Sequence, residues 1–154
     1  MFSQEVIDAI ESFNRHKVKY VVVGGIAVIA HGYDRSTGDM DIWLSNEEDN
    51  LDRFKNALAE CDFDHDQINE AIDGFKEMGH LTVTIDHRFP FDFMPVYSSK
   101  IPFEEAFEKS KQATMFGVNL TVVDLDSLID MKIKAGRIKD YRDVLELKKK
   151  NNLD

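Results

Sequence analysis

The stretch that decides the fold reads Val21-Val22-Val23-Gly24-Gly25-Ile26-Ala27 and is followed by His31-Gly32-Tyr33-Asp34-Arg35-Ser36-Thr37-Gly38-Asp39-Met40-Asp41-Ile42. Its β-branched run predicts a buried strand over residues 18–23, and a second strand is predicted over residues 40–44. Because side chains alternate across a strand, Asp39 and Asp41 project from the same face. Two parallel carboxylates suit a hard cation such as Mg²⁺, although an isolated Asp-x-Asp is also typical of a polar outer face.

A glycine pair separates the first strand from a short helix predicted over residues 26–31. Gly24 and Gly25 would let the backbone approach a phosphate group closely, and the start of the helix would supply N–H donors. Glycine pairs are common at tight turns, so this signal depends on the neighbouring carboxylates for its weight.

A third carboxylate is expected on a neighbouring strand, because a two-metal site needs a ligand beside the attacking group. The sequence Phe91-Asp92-Phe93 lies on a strand predicted over residues 91–94, which places the Asp92 carboxylate on the face opposite both rings. Asp86 is the rival candidate, at the end of a strand predicted over residues 81–85.

Length and composition limit the possible architecture. The chain has 154 residues, of which 43% are hydrophobic and 31% charged, with a net charge of −10. These values predict one globular domain over residues 1–154, and the excess of acidic residues argues against a protein that binds nucleic acid over a broad surface. No apolar run approaches the ~20 residues of a membrane helix and no signal peptide is evident, so we expect a cytoplasmic protein without a membrane partner. Its single cysteine excludes an internal disulfide.

Hydrophobic periodicity predicts an α/β (α+β) fold, in which a mixed β-sheet is flanked by helices. Further helices are predicted over residues 3–16, 46–61, 68–78 and 102–109, and one more strand over residues 116–123.

A C-terminal helical pair is predicted over residues 124–150. Its first helix ends at Gly136, and both helices have apolar positions that should face inward: Leu125, Leu128, Ile129 and Ile133 in the first, and Val144, Leu145 and Leu147 in the second. Residues 1–131 hold 11 basic and 25 acidic side chains, a net charge of −14, whereas residues 132–154 hold 8 and 4, a net charge of +4.

These motifs together resemble the nucleotidyltransferase superfamily related to DNA polymerase β. The resemblance rests on the glycine pair, the pattern Arg35-x-Thr37-x-Asp39-x-Asp41, and a later single carboxylate, Asp92. With the tail from Lys132 to Asp143, the chain is most similar to the small prokaryotic branch, which includes AbiEii-type toxins and minimal and antibiotic nucleotidyltransferases. The resemblance covers most of the chain.

The resemblance implies transfer of a nucleoside monophosphate from an NTP, with release of pyrophosphate. Asp39 and Asp41 would hold Mg²⁺, or Mn²⁺, and Asp92 would bind one ion and help to deprotonate the acceptor hydroxyl. Gly24 and Gly25 would seat the triphosphate; the wider family has a glycine-serine pair there, so the missing hydroxyl leaves the contact to backbone N–H groups.

Basic and polar side chains near the carboxylates are candidate nucleotide ligands. Arg35 could pair with a phosphate and Thr37 could donate a hydrogen bond, or Arg35 could pair with Asp34 and Thr37 could cap its own turn. In the tail, Lys132, Arg137 and Lys139 could meet the triphosphate, with Asp140 and Asp143 orienting them.

A different class of function stays open at this point: a catalytically silent nucleotide-binding or antitoxin-like module of the same fold. The three mutually repelling carboxylates favour the enzyme. The acceptor could be a tRNA end, a protein side chain or a small molecule, and it could bind on this chain, on a partner protein or across a homodimer. The sequence selects no particular NTP.

Overall fold

A computed structural model describes residues 2–95, 97 and 99–154. Within them, the strands are β1 (Tyr20–Val23), β2 (Met40–Leu44), β3 (Leu81–Asp86), β4 (Phe89–Met94), β5 (Lys111–Met115) and β6 (Val118–Val122). They form a six-stranded sheet in the order β3-β4-β2-β1-β6-β5. Neighbours β1 and β6 and neighbours β2 and β4 are parallel, and the other pairs are antiparallel, so the mixed sheet predicted from the sequence is confirmed.

Helices flank this sheet, and their ends follow local sequence signals. They are α1 (Gln4–Arg15), α2 (Gly24–Ala30), α3 (Glu48–Ala59), α4 (His65–Met78), α5 (Phe103–Lys109), α6 (Leu125–Ala135) and α7 (Ile138–Lys150). The Ser3 hydroxyl caps α1 by accepting a hydrogen bond from the Val6 N–H. Gly79 and Gly136 end α4 and α6 in the left-handed conformation, which glycine adopts without steric cost. No helix in the described part of the chain is long and apolar enough to cross a membrane.

An aromatic core lies between the sheet and the helices α1 and α3. Phe13 of α1 and Phe54 of α3 pack against Phe91 and Phe93 of β4, with ring centroids 4.9–6.2 Å apart. All four rings are fully buried. Because β4 buries both phenylalanines on this face, the side chain of Asp92 between them points to the opposite face.

Two predicted boundaries are wrong and one strand was not predicted, each for a physical reason. The strand predicted over residues 116–123 is the second half of a hairpin, because Phe116 and Gly117 form its turn with positive φ. Its first half, β5, has no apolar periodicity because it is a mostly exposed edge strand. The helix expected from residue 26 begins at Gly24, so the glycine pair forms the first turn of α2.

The C-terminal helical pair is present, but its orientation differs from the apolar pattern. Leu145, predicted to face inward, is 69% exposed, and Ile133 is 48% exposed. The inner face of α7 instead includes Asp140 and Asp143, which are 0% and 2% exposed, beside Val144 and Leu147. Ion pairs made by the two aspartates set the rotation of the helix, and hydrophobicity alone could not predict it.

Candidate active site

Three carboxylates converge at the centre of the sheet. Asp39 precedes β2, Asp41 lies on β2, and Asp92 lies on β4. Parallel pairing of β2 and β4 puts Asp41 directly opposite Asp92. One carboxylate oxygen from each residue lies within 4.8 Å of the others, and all three side chains are half-buried. A metal ion could therefore contact all three groups at once.

The local electrostatics penalise this arrangement in the absence of a cation. Burial raises the pKa of Asp41 to about 6, and the negative charges of Asp39 and Asp92 add to the increase. Burial also raises the pKa of Asp39, again with a contribution from Asp92. Like charges held together in a partly desolvated place favour protonation or cation binding. The site is thus tuned to accept positive charge.

The glycine pair packs directly against the side chains of this region. Gly24 has a φ of +66°, and a Cβ atom built on it would lie 2.4 Å from Asp41 Oδ2. A Cβ atom on Gly25 would lie 2.4 Å from Thr37 Oγ1, which is also too close. Any larger residue would displace Asp41 or Thr37, so the glycine pair is required for the close approach of α2 to these two side chains.

Two residues around Asp92 were missed by the sequence analysis. Thr82 Oγ1 donates a 2.7 Å hydrogen bond to Asp92 Oδ1, and His80 Nε2 lies 3.4 Å from the same oxygen. Thr82 is the cross-strand partner of Asp92 in the β3–β4 hairpin. Counting the hairpin register back from the Asp86–Phe89 pair would have placed Val83 opposite Asp92, because the pairing shifts by one residue between Val83 and Asp86. His80 precedes β3 and carries no signal of its own.

Tyr97 is a third residue near the carboxylates that the sequence did not indicate. Burial raises the pKa of Tyr97 to about 12, and the negative charge of Asp41 adds to the increase. Its ring lies beside that of Trp43, with centroids 6.5 Å apart. Trp43 lies two residues after Asp41 and so shares its face of β2. An aromatic wall therefore borders the carboxylates.

The rival candidate, Asp86, lies elsewhere. It accepts hydrogen bonds from the backbone and the guanidinium of Arg88 at the β3–β4 turn. These bonds lower the pKa of Asp86 to about 2, in contrast to the raised pKa of Asp41. In the part of the chain that the structure describes, Asp86 does not belong to the carboxylate cluster.

Arg35 connects the site loop to the tail rather than pairing with Asp34. Its Nε and Nη2 atoms donate to the two oxygens of Asp143 at 2.8 and 2.9 Å. Lys132 Nζ lies 2.9 Å from the same carboxylate and 3.3 Å from Asp140, and it is only 7% exposed. Burial alone would raise the pKa of Asp143, but hydrogen bonds from Arg35 and Lys132 outweigh burial and lower it.

The other two basic candidates lie at the start of α7. Arg137 donates to both oxygens of Asp140 at 2.7 and 3.2 Å, while its own side chain is mostly exposed. The charge of Arg137 acts to lower the pKa of Asp41, and the charge of Lys139 acts to lower the pKa of Asp39. The basic tail therefore lies within electrostatic range of the carboxylates.

Comparison with known families decides the class of protein. The sequence matches, over residues 2–153, a family described as a nucleotidyl transferase of unknown function (DUF2204). The chain belongs to this family. It is a nucleotidyltransferase, as the resemblance in the sequence predicted. No curated protein sequence matches it.

This nucleotidyltransferase is also similar in fold to a solved structure, the lincosamide antibiotic adenylyltransferase LnuA with lincomycin bound. The alignment covers 96% of this chain and 97% of the other, with a TM-score of 0.54 and 12% sequence identity. At that identity the likeness shows the fold alone. The alignment covers both chains almost end to end.

Proposed function

We propose that this nucleotidyltransferase moves a nucleoside monophosphate from an NTP to a hydroxyl group, with release of pyrophosphate. The observation that carries the proposal is the convergence of Asp39, Asp41 and Asp92, two of which have raised pKa values. A cluster of mutually repelling carboxylates is costly unless the protein uses it to bind cations.

The donor set fits a divalent metal. Carboxylate oxygens are the ligands that Mg²⁺ and Mn²⁺ prefer, and Asp39, Asp41 and Asp92 offer one such atom each within a common radius. When bound, Mg²⁺ would neutralise charge that develops on the phosphate oxygens during transfer. Asp39 and Asp41 would hold the ions, and Asp92 would share one of them.

The residues around the carboxylates would position the triphosphate. Gly24 and Gly25 would present backbone N–H groups at close range, and Thr37 would add a hydroxyl donor. Arg137 and Lys139 would offer charge to the phosphates, as both are exposed at the start of α7. Arg35 and Lys132 are also proposed to bind the nucleotide. Both form ion pairs with Asp143, so Arg35 would anchor the loop before β2, and the positive charges of both residues would attract the triphosphate.

The proposed reaction is an in-line displacement at the α-phosphorus. The acceptor oxygen forms the new bond to phosphorus as the bond to the bridging oxygen breaks, and pyrophosphate leaves. Asp92 would help to take the proton from the acceptor hydroxyl, and Thr82 would fix the orientation of the Asp92 carboxylate through the 2.7 Å hydrogen bond.

Several finer features belong to the same proposal. ATP is the first nucleotide to test, because the similar solved structure is that of an adenylyltransferase. The acceptor is a tRNA end, a protein side chain or a small molecule, and membership of a toxin–antitoxin pair is a further proposal from the resemblance. We also propose that residues 1–154 form one domain, with its helices over 124–150, in the cytoplasm.

The proposed function is tested by incubating the purified protein with each α-labelled NTP, Mg²⁺ and separate tRNA, protein and small-molecule fractions of a cell extract. We expect label in one fraction, with an equal amount of pyrophosphate released. Asp39→Asn/Asp41→Asn protein should transfer none, whereas Asp86→Asn protein, which loses a carboxylate outside the cluster, should transfer normally. Transfer by the double variant at the wild-type rate would contradict the assignment of the site.

A further inference from the structure

Exposed apolar side chains are concentrated in the tail of the protein. Among the described residues, five of the seven exposed large hydrophobic side chains lie in or after α6: Ile133, Ile138, Tyr141, Leu145 and Leu153. Ile138 is 90% exposed and Leu145 is 69% exposed. Single exposed hydrophobic residues are normal, but a cluster of this kind marks an interaction surface.

Three of these side chains form a continuous line on α7. Ile138, Tyr141 and Leu145 follow the spacing i, i+3, i+7, which places them on one face of a helix. We call these three residues the outer stripe. The opposite face of α7 is buried and contains Asp140, Asp143, Val144 and Leu147. Helix α7 therefore packs one face against the core and exposes a second set of apolar side chains, the outer stripe, to solvent.

Cations border the outer stripe. Arg142 and Lys149 are exposed and lie four and eleven residues after Ile138, on the same side of the helix as the stripe. In a paired helix these would be e positions, beside a seam formed by a and d positions. Asp140 and Asp143 pair with Lys132 and Arg137, so six of the eight basic and two of the four acidic side chains of residues 132–154 lie outside this buried network.

We propose that the outer stripe is the docking surface for an amphipathic helix of a partner protein, whose own apolar seam is flanked by Asp and Glu side chains. The a/d spacing selects a helix as the partner element, and the basic border selects the sign of its charge. This proposal concerns the surface of α7 alone and does not rest on the transfer reaction.

Two other occupants agree less well with the same residues. A second copy docked through the same stripe would bring Arg142 and Lys149 against their own counterparts, and like charges across an interface oppose association. An RNA strand would use the cations, but Ile138 and Leu145 offer nothing to a phosphate backbone. A helix with acidic flanks satisfies both the aliphatic side chains and the cations.

The test uses a defined probe. A fluorescein-labelled peptide of three heptads, with Leu at a and d and Glu at e and g, is titrated with the protein and followed by fluorescence anisotropy. A matched peptide has Lys in place of Glu. The proteins are wild type, Ile138→Ser/Leu145→Ser, and Met78→Ser, which removes an exposed apolar side chain outside the tail.

We expect wild type and Met78→Ser protein to bind the acidic peptide equally, and the double variant to bind about tenfold more weakly or worse. The Lys peptide should not bind, and added salt should weaken the acidic complex. Equal binding of both peptides, or no loss in the double variant, would overturn the proposal. So would a wild-type dimer in sedimentation velocity that the double variant disperses, or binding of a single-stranded RNA oligonucleotide that depends on the outer stripe.

Discussion

Charged side chains are buried or half-buried in two regions of this molecule: one region gathers like charges, and the other pairs opposite charges. At the centre of the sheet, Asp39, Asp41 and Asp92 gather three negative charges, with one carboxylate oxygen of each within 4.8 Å of the others. Between the site loop and the tail helices, Asp140 and Asp143 are almost completely buried but are paired with basic side chains. The first arrangement raises pKa values, and the second lowers them.

The difference separates a binding site from a structural one. Paired buried charges are already neutralised, so removing one partner leaves an uncompensated charge and destabilises the fold. Like charges held close together destabilise the fold unless a ligand neutralises them, so removing them should leave the fold intact and abolish function. Variants in the two regions should therefore have opposite profiles of stability and activity.

The largest expected effect is on activity in the carboxylate cluster. The Asp39→Asn/Asp41→Asn variant should lose nucleotidyl transfer below detection, because neither residue could then hold a cation. Its melting temperature, measured by circular dichroism without added metal, should equal or exceed that of wild type. A large fall in melting temperature together with the loss of transfer would remove the distinction between the two regions.

A large loss of stability is expected in the tail network. Lys132→Met should lower the free energy of unfolding by about 3–5 kcal/mol, because Asp143 and Asp140 both lose their shared buried cation. Urea denaturation measures this change. Lys134→Met is the control, since Lys134 is on the same helix but its pair with Asp130 is partly exposed. Equal effects of the two substitutions would show that the buried network is not structural.

A smaller effect is expected where a neutral side chain supports the cluster. Thr82→Val removes the hydroxyl that donates to Asp92 while keeping the shape of the side chain. We expect kcat to fall about tenfold, as for the loss of one hydrogen bond to a charged group, while the KM for NTP changes little. Thr82→Ser should restore kcat, and Thr84→Val, two residues along the same strand face, should leave it unchanged. A rise in KM together with the fall in kcat, and no rescue by serine, would indicate a structural role.

The smallest effect concerns pH. The pKa of Asp41 is raised to about 6 from its ordinary value of 3.8, so the folded chain binds this proton more tightly than the unfolded chain does. The contribution of Asp41 to stability therefore falls as pH rises from about 4 to about 6. The Asp41→Asn variant lacks this loss, so its free energy of unfolding at pH 7 should exceed that of wild type by about 1 kcal/mol, after allowance for solvent screening.

The difference in stability between Asp41→Asn and wild-type protein should disappear at low pH. Below about pH 4, Asp41 is protonated in both the folded and the unfolded chain, so the two proteins should have equal stability. The lowered pKa values of Asp140 and Asp143 act in the other direction, since their stabilisation is lost as pH falls, but both proteins share that loss. An advantage of Asp41→Asn that did not change with pH would contradict the assigned cause.

Sequence patterns predicted the carboxylate region far better than the tail. Strand alternation is a local rule, and it placed Asp39 and Asp41 on one face and Asp92 opposite its phenylalanine neighbours. The rotation of α7 depends on ion pairs with Lys132 and Arg35, which are 8 and 108 residues away from their aspartate partners. No local periodicity contains that information, so Leu145 was predicted to be buried.

The sequence also did not indicate the edge strand β5 or the register of the β3–β4 hairpin. Strand β5 pairs on one side only and is largely exposed, so its residues lack the apolar alternation that identifies a half-buried strand. The contact of Thr82 with Asp92 depends on the register of the β3–β4 hairpin, which contains an irregularity between Val83 and Asp86. Side chains that support the site could not be found before that register was known.

The most direct test of the central claim is a crystal structure with Mn²⁺ and a non-hydrolysable NTP analogue, with metal positions taken from anomalous scattering. We expect Mn²⁺ within about 2.0–2.3 Å of oxygens of Asp39, Asp41 and Asp92, and in contact with the phosphates of the analogue. We expect no anomalous peak at Asp140 and Asp143, whose charges are already paired. Metal and nucleotide bound away from the three carboxylates would contradict the assignment of the active site.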